Sequence, residues 1–196
     1  MPRAVFLDRD GTLNVEKGYI HDVDAIELYP GAAQAVRLLN DAGILAILAT
    51  NQTGAARGYY TIEHVHALNQ RVAELLRHEA GARLDGVYYC PHYKDGIVLE
   101  FTMACNCRKP APGMILQAAR DFPDIDLSAS FVVGDKATDI TFARNAGCRG
   151  ILVRTGYGEQ VLAGEYQNLE LQPEKICANI VEAVAYIISQ CSDNSF

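Results

Sequence analysis

The sequence predicts an α/β fold: a doubly wound, mainly parallel sheet. Three observations carry this. Short apolar runs alternate with stretches whose apolar residues recur every three or four positions, the pattern of strands joined by crossover helices. Runs such as Ala4 to Leu7, Ile44 to Ala49 and Phe131 to Val133 lack polar alternation, so they read as strands covered on both faces. The polar motifs follow apolar runs and never precede them. Right-handed crossovers then gather those motifs on one edge of the sheet, where open α/β folds bind ligands.

Taken in order, Ala4 to Leu7 is a first buried strand, ending on Asp8 and Asp10. Two carboxylates so close repel each other, and a hard divalent cation would relieve the repulsion. Gly11 permits a turn tight enough to keep them near one point. A polar loop, Asn14 to Asp24, follows. Pro30 and Gly31 lead into a helix from Ala32 to Ala42, with Ala32, Val36 and Leu39 on one face and Gly43 as its stop. The second strand, Ile44 to Ala49, ends at Thr50-Asn51-Gln52-Thr53-Gly54. Thr61 N-caps a longer helix marked by Ile62, Val65, Leu68, Val72, Leu75 and Leu76. Val87 to Tyr89 is a third strand reaching Cys90, and a cysteine-rich loop runs from there to Pro112. A helix from Met114 to Arg120, a strand ending at Gly134-Asp135, a helix from Lys136 to Asn145 and a strand from Gly150 to Val153 complete the alternation. Gly156 to Gln172 has no clear period. Ile176, Ile180, Val184 and Ile187 predict a final helix packed on the sheet edge, with the last few residues fraying.

A chain of 196 residues suits one domain, residues 1–196. Only 39 residues separate Asp10 from Thr50, and a loop, a helix and a strand already fill them. A separate cap domain needs about 50 residues, so the site is expected to be uncapped. A net charge of −7 argues against nonspecific binding to nucleic acid or to an anionic membrane surface. No basic start leads into an apolar stretch of secretory type, and no apolar run approaches the 18 or so residues of a membrane span. A cytoplasmic monomer acting on a small molecule is expected. In that compartment thiols stay reduced, and the six cysteines favour metal binding or burial over disulfides.

Cys90-Pro91-His92 and Cys105-Asn106-Cys107 make a C-x-H and C-x-C set with 12 residues between the pairs. Three thiolates and one imidazole form a common closed shell for Zn²⁺, structural because no position is left for water. Buried free cysteines beside a surface histidine are the alternative. Such a loop would fix Arg108 and Lys109, which follow Cys107 directly. Cys148, Cys177 and Cys191 read as core filling.

Asp8-Arg9-Asp10-Gly11-Thr12 after an apolar strand resembles the first motif of the haloacid dehalogenase superfamily phosphatases. Thr50 is similar to the second motif, Lys109-Pro110-Ala111-Pro112-Gly113 to the third, and Gly134-Asp135-Lys136-Ala137-Thr138-Asp139 to the fourth. The resemblance spans Asp8 to Asp139. It implies an aspartyl-phosphate route with Asp8 as nucleophile and Asp10 as general acid and base. Thr50 would bind the phosphoryl oxygens and Lys109 would stabilise the charge of nucleophile and phosphoryl group. Mg²⁺ would be held by Asp8, the Asp10 carbonyl and Asp135, with Asp139 behind them through water or Lys136. The bland alternatives are an Asx turn at Asp8 and Asp10, a solvated loop lysine at Lys109, and a helix N-cap at Asp135.

With the cysteine loop added, the resemblance narrows to the zinc-loop subgroup, which holds histidinol-phosphate phosphatases and heptose 1,7-bisphosphate 7-phosphatases. Gly18 to His21, Thr50 to Gly58 and Cys105 to Pro110 are similar to the heptose branch. That likeness implies a sugar-phosphate pocket of Glu16, Lys17, Gly18, Tyr19, Thr50, Asn51, Gln52, Thr53, Arg108, Lys109 and Lys136. The remote phosphate of a bisphosphate would fall to Arg108 and Arg57. The expected substrate is the 7-phosphate of a heptose bisphosphate on the route to surface polysaccharide precursors, with histidinol phosphate as the alternative. Glu16-Lys17 departs from the acid-His pair more usual there. A non-catalytic reading, a zinc-stabilised phosphate-binding or receiver-like module, leaves Asp10 and Thr50 without a purpose.

Overall fold

The computed structural model describes residues 2–192, with side chains as far as residue 190. Its strands are β1 (Ala4–Leu7), β2 (Leu45–Asn51), β3 (Gly86–Cys90), β4 (Phe131–Gly134), β5 (Arg149–Val153) and β6 (Lys175–Cys177). They form one sheet in the order β3-β2-β1-β4-β5-β6, and every neighbouring pair is parallel. Parallel neighbours need long crossovers. Most of these are helical: α1 (Ala32–Asp41), α2 (Ile62–Ala80), α3 (Gly113–Asp121), α4 (Ala137–Asn145) and the short α5 (Gly158–Leu162), with α6 (Ile180–Ser192) following β6.

All four side chains of β1 are fully buried. Because successive residues point to opposite faces, Val5 and Leu7 enter one layer while Ala4 and Phe6 enter the other. In the first layer they meet Val36 and Leu39 of α1, Leu68, Val72 and Leu76 of α2, and Ile180, Val184 and Ile187 of α6. In the second, Met114 and Ile115 of α3 and Phe142 of α4 pack on Phe6, Ile47 and Val132. Each such large side chain contributes about 1.5–3 kcal/mol by leaving water. Thr61 caps α2, its Oγ1 accepting from the N–H of His64 at 3.4 Å.

Register positions the site. Leu7 lies beside Leu48 of β2 and Val133 of β4. The next residues along the three strands, Asp8, Ala49 and Gly134, therefore reach the same sheet edge, with Thr50 and Asp135 one step further.

The carboxyl-terminal third departs from expectation. Ile176 belongs to β6, beside Leu152 of β5, and not to a helix. Its four-residue spacing from Ile180 imitates one helical turn, and a three-residue strand shows no period of its own. The edge is thus taken by β6, while α6 lies across a face against α1. The unread stretch after Gly156 holds the five-residue α5, too short to display a helical period. Three single-turn 3₁₀ helices, Val23–Ala25, Leu99–Phe101 and Leu127–Ala129, also left no readable signal. Cys148 and Cys177 are buried as expected; the side chain of Cys191 and residues 193–196 lie outside the description.

Candidate active site

The N–H of Asp8 still donates to Val133 O at 3.0 Å, so the side chain stands at the end of β1. Asp135 follows β4 and is packed between two glycines. A Cβ on Gly11 would lie 2.1 Å from Asp135 Oδ2, and one on Gly156 would lie 2.2 Å away. Both glycines also have positive φ, 88° and 58°, so closeness and backbone conformation each demand glycine. Asp139 enters from the first turn of α4. Carboxylate oxygens of Asp8, Asp135 and Asp139 lie within 4.8 Å of one another, and all three side chains are buried.

Lys109 joins this group. Its Nζ is 2.8 Å from Asp8 Oδ1 and 2.6 Å from Asp139 Oδ1, and it donates to Ala49 O at 3.0 Å. Asp139 therefore meets Lys109 directly, not only Lys136 as expected, and it also accepts the Lys136 N–H at 3.1 Å. That contact makes Lys136 the cap of α4, so Asp135 does not cap the helix. Asp135 instead accepts the Tyr157 N–H at 2.8 Å on Oδ2. Its other oxygen has no hydrogen-bond donor, and Lys136 Nζ stands 3.5 Å off. Burial pushes the Asp135 carboxyl up to about 7, against the pull of Lys136 and with help from Asp8 and Asp139. Burial likewise raises Asp139 despite Lys109. Three converging buried acids, one with an unpartnered oxygen, make an oxygen donor set that fits a hard divalent cation.

Asp10 is turned away from that set. Arg9 grips it twice, Nε to Oδ1 at 3.1 Å and Nη2 to Oδ2 at 2.9 Å, while Asn14 and Gln52 add bonds of 3.0 and 2.9 Å. Burial alone would raise its pKa, but the Arg9 charge and these bonds outweigh that and hold it below the ordinary 3.8. Its oxygens are taken by three side chains, those of the adjacent Arg9 and of Asn14 and Gln52, and not by the local amides of an Asx turn. Arg9 is itself buried and is steadied by Asn69 Oδ1 of α2 at 2.9 Å. Thr50 is buried inside β2, and its Oγ1 accepts from Gln52 Nε2 at 3.0 Å. Asn51 clamps the Lys109 backbone with two bonds of 3.0 and 3.2 Å.

A cavity of about 310 Å³ opens over part of this group, whereas Arg9, Asp135 and Asp139 do not line it. Asp8, Asp10, Glu16, Gly18, Tyr19, Thr50, Asn51, Gln52, Thr53, Arg57, Arg108, Lys109 and Lys136 all line it. Lys17 does not: its ammonium is held 3.0 Å from Glu27 and bonds to Ala25 O, a pairing invisible in linear order. Lys136 reaches back to Glu16 at 3.4 Å, and the surrounding acids hold it charged in spite of burial. Five wall residues escaped the sequence reading: Tyr60, Thr138, Tyr157, Tyr166 and Gln167. Tyr157 and Tyr166 stack at 4.2 Å, and both come from the stretch that carries no period.

The cysteine loop closes on itself. Cys107 Sγ is 2.9 Å from Cys90 Sγ, 3.3 Å from Cys105 Sγ and 3.2 Å from His92 Nδ1. The remaining edges recorded, Cys90 to Cys105 and Cys90 to His92, are 3.5 and 3.7 Å. Zn–S bonds of about 2.3 Å imply donor separations of about 3.7 Å in a tetrahedron. Four donors so gathered fit zinc, and scattered buried cysteines do not describe them. The Cys90–Cys107 hydrogen bond lowers the Cys107 thiol to about 5 and raises Cys90.

An all-parallel sheet with acids at the ends of β1 and β4, a threonine on β2 and a buried lysine ahead of α3 defines a haloacid dehalogenase-like hydrolase. The HAD-hydrolase-like family model matches residues 106–183. The chain is 56% identical over 191 residues, 95% of its length and 96% of the relative's, to a D-glycero-D-manno-heptose-1,7-bisphosphate 7-phosphatase of Thermosynechococcus vestitus. It is 46% identical over 155 residues to the D-glycero-beta-D-manno-heptose-1,7-bisphosphate 7-phosphatase of Yersinia pestis, covering 78% of this chain and 81% of that one. A crystal structure of D,D-heptose 1,7-bisphosphate phosphatase from B. bronchiseptica, complexed with magnesium and phosphate, superposes with a TM-score of 0.83 at 32% identity, covering 96% and 99% of the two chains. The chain belongs to the family of heptose-1,7-bisphosphate 7-phosphatases.

Proposed function

We propose that this chain is a single phosphatase domain that removes the 7-phosphate of D-glycero-D-manno-heptose 1,7-bisphosphate. The observation that carries the chemistry is the meeting of Asp8, Asp135, Asp139 and Lys109 beneath an open polar cavity. The substrate rests on the names of the relatives.

An Asp8 oxygen attacks phosphorus, the bond from phosphorus to the sugar oxygen breaks, and Asp10 gives its proton to that oxygen. Water then attacks the aspartyl-phosphate, with Asp10 taking the proton back. Arg9 favours the carboxylate form of Asp10, which suits the second step. A phosphate dianion arriving beside Asp10 opposes Arg9 and draws a proton there for the first. Lys109 meets the charge on Asp8, and Thr50 offers its hydroxyl to the phosphoryl oxygens. Mg²⁺ bound by Asp8, Asp135 and the Asp10 carbonyl would supply charge neutralisation between the carboxylate and the phosphate. The relative from B. bronchiseptica holds magnesium and phosphate. Zn²⁺ on Cys90, His92, Cys105 and Cys107 would be structural.

No helix among the described residues is long and apolar enough to cross a membrane. With a small sugar phosphate as substrate, the protein is expected to act as a cytoplasmic monomer. A substrate panel tests the reading. Heptose bisphosphate is expected to exceed histidinol phosphate by at least tenfold in kcat/KM, and Asp10→Asn to lower turnover by about 10²–10⁴-fold. Faster turnover of histidinol phosphate would move the substrate, and no phosphate release from either would return the chain to a binding role.

A further inference from the structure

Tyr93 lies in the cysteine loop, between a metal donor and a turn, and the chemistry above makes no use of it. It does not line the cavity, yet it touches two residues that do. The Arg57 guanidinium carbon is 4.0 Å from the centre of its ring and that of Arg108 is 5.4 Å away, both within cation–π reach. Among the described residues neither arginine has a carboxylate within ion-pairing distance. Arg57 Nε is buried with no hydrogen-bond acceptor. Two like charges are thus held near one neutral ring at a cavity wall, an arrangement that lacks an anion.

The backbone explains how they are held. Tyr93 follows His92 and Arg108 follows Cys107, so each is one residue from a metal donor. Arg57 comes from a different loop. That loop is pinned to the cysteine loop where Ala56 O accepts the N–H groups of Ile97 at 2.8 Å and Val98 at 3.1 Å. Tyr93 is further fixed by its N–H, which donates to Phe101 O at 3.1 Å.

We infer that Tyr93 is a positioning residue for the substrate's second, non-reacting phosphate: its ring holds Arg57 and Arg108 together as one dianion receptor. The inference rests on the sugar-bisphosphate reading of the site. Long guanidinium side chains lose rotamer freedom on binding an anion, and a ring that orders them beforehand removes part of that cost.

The test reads binding rather than turnover. The sugar 1-phosphate expected as product carries only the remote phosphate, so it is titrated calorimetrically into wild type, Tyr93→Phe, Tyr93→Leu and Tyr93→Ala. Inorganic phosphate is the control, and zinc content and melting are checked for each. Leu and Ala are expected to weaken the sugar 1-phosphate about tenfold, a size set by loss of a cation–π pair, while Phe stays within about threefold and inorganic phosphate is unchanged. Should Ala disturb the loop, Leu keeps the volume without the ring. Equal binding in all four proteins, or a loss shared by inorganic phosphate, overturns the inference. Wild type that hydrolyses the bisphosphate while ignoring Tyr93 sinks only this inference. Tyr93-dependent binding in a protein that hydrolyses no bisphosphate sinks only the substrate reading.

Discussion

Lys109→Met removes the ammonium that lies between Asp8 and Asp139 and leaves those carboxylates facing each other away from water. The lysine side chain is 3% exposed, at 2.8 Å from one acid and 2.6 Å from the other. Methionine keeps most of the stem's volume, so the cavity contribution is small. Breaking a buried pair by deleting one partner costs about 3–5 kcal/mol. At about 2–4 °C per kcal/mol for a chain of this size, melting should fall by about 6–20 °C. Thermal unfolding is followed in chelator, so that no divalent cation replaces the missing charge. Asp139→Asn in the same background removes one of the two orphaned acids, and the double variant should recover about 1–3 kcal/mol relative to additivity. Since burial already raises Asp139, lowering the pH should also shrink the deficit. Melting within about 2 °C of wild type, or a double variant that simply adds the two losses, refutes the argument that these charges form one unit.

Two further outcomes follow from the same geometry. In metal-free protein the Asp135 pKa stands near 7 against an ordinary 3.8, so the folded state keeps a proton that the unfolded state releases. That contribution is fully present below about 4 and is lost as pH rises towards 7. Asp10, held below 3.8, acts in the opposite sense and only on the acid side. Urea unfolding in chelator should show the stability difference between wild type and Asp135→Asn falling from pH 5 to 7, a comparison that cancels the opposite slope of the Cys107 thiol held near 5. Mg²⁺ should flatten that slope because bound carboxylates carry no proton; a difference that rises over that range contradicts it. For the cysteine loop, Cys107→Ser should lose zinc, lower the melting temperature and raise KM for the bisphosphate, because Ile97 and Val98 also hold the Arg57 loop. Unchanged melting and KM in verified zinc-free protein removes the structural role.

What could be read beforehand was whatever chemistry had concentrated in a short stretch. Asp8 and Asp10 sit two apart, Lys109 is followed by two prolines, and the Cys90–His92 and Cys105–Cys107 pairs lie at the two ends of one loop. The central strands were legible because burial on both faces leaves an unbroken apolar run, as in Ala4 to Leu7. Three kinds of feature were not legible. Ile176 mimicked a helical turn because its strand is only three residues long. Tyr157 and Tyr166 come from a stretch whose shape is set by contacts with Asp135 and Lys136, not by a period of its own. Pairings across the fold, such as Lys17 with Glu27, Arg9 with Asn69 and Asp139 with Lys109, depend on packing that linear order does not contain.

β1 is hydrogen-bonded on one side to a strand that arrives more than a hundred residues later, and α6 closes the layer beneath it. A ribosome that has made everything up to β3 has already produced the nucleophile and the threonine, but the partner strand carrying Asp135 is still to be translated. A nascent or truncated chain of that length holds an exposed apolar edge and a single acid cluster with no second wall. Full competence therefore arrives late and all together, and a protease cutting before Ile180 would take α6 out of the layer it shares with α1 and α2 even though it touches none of the reacting groups.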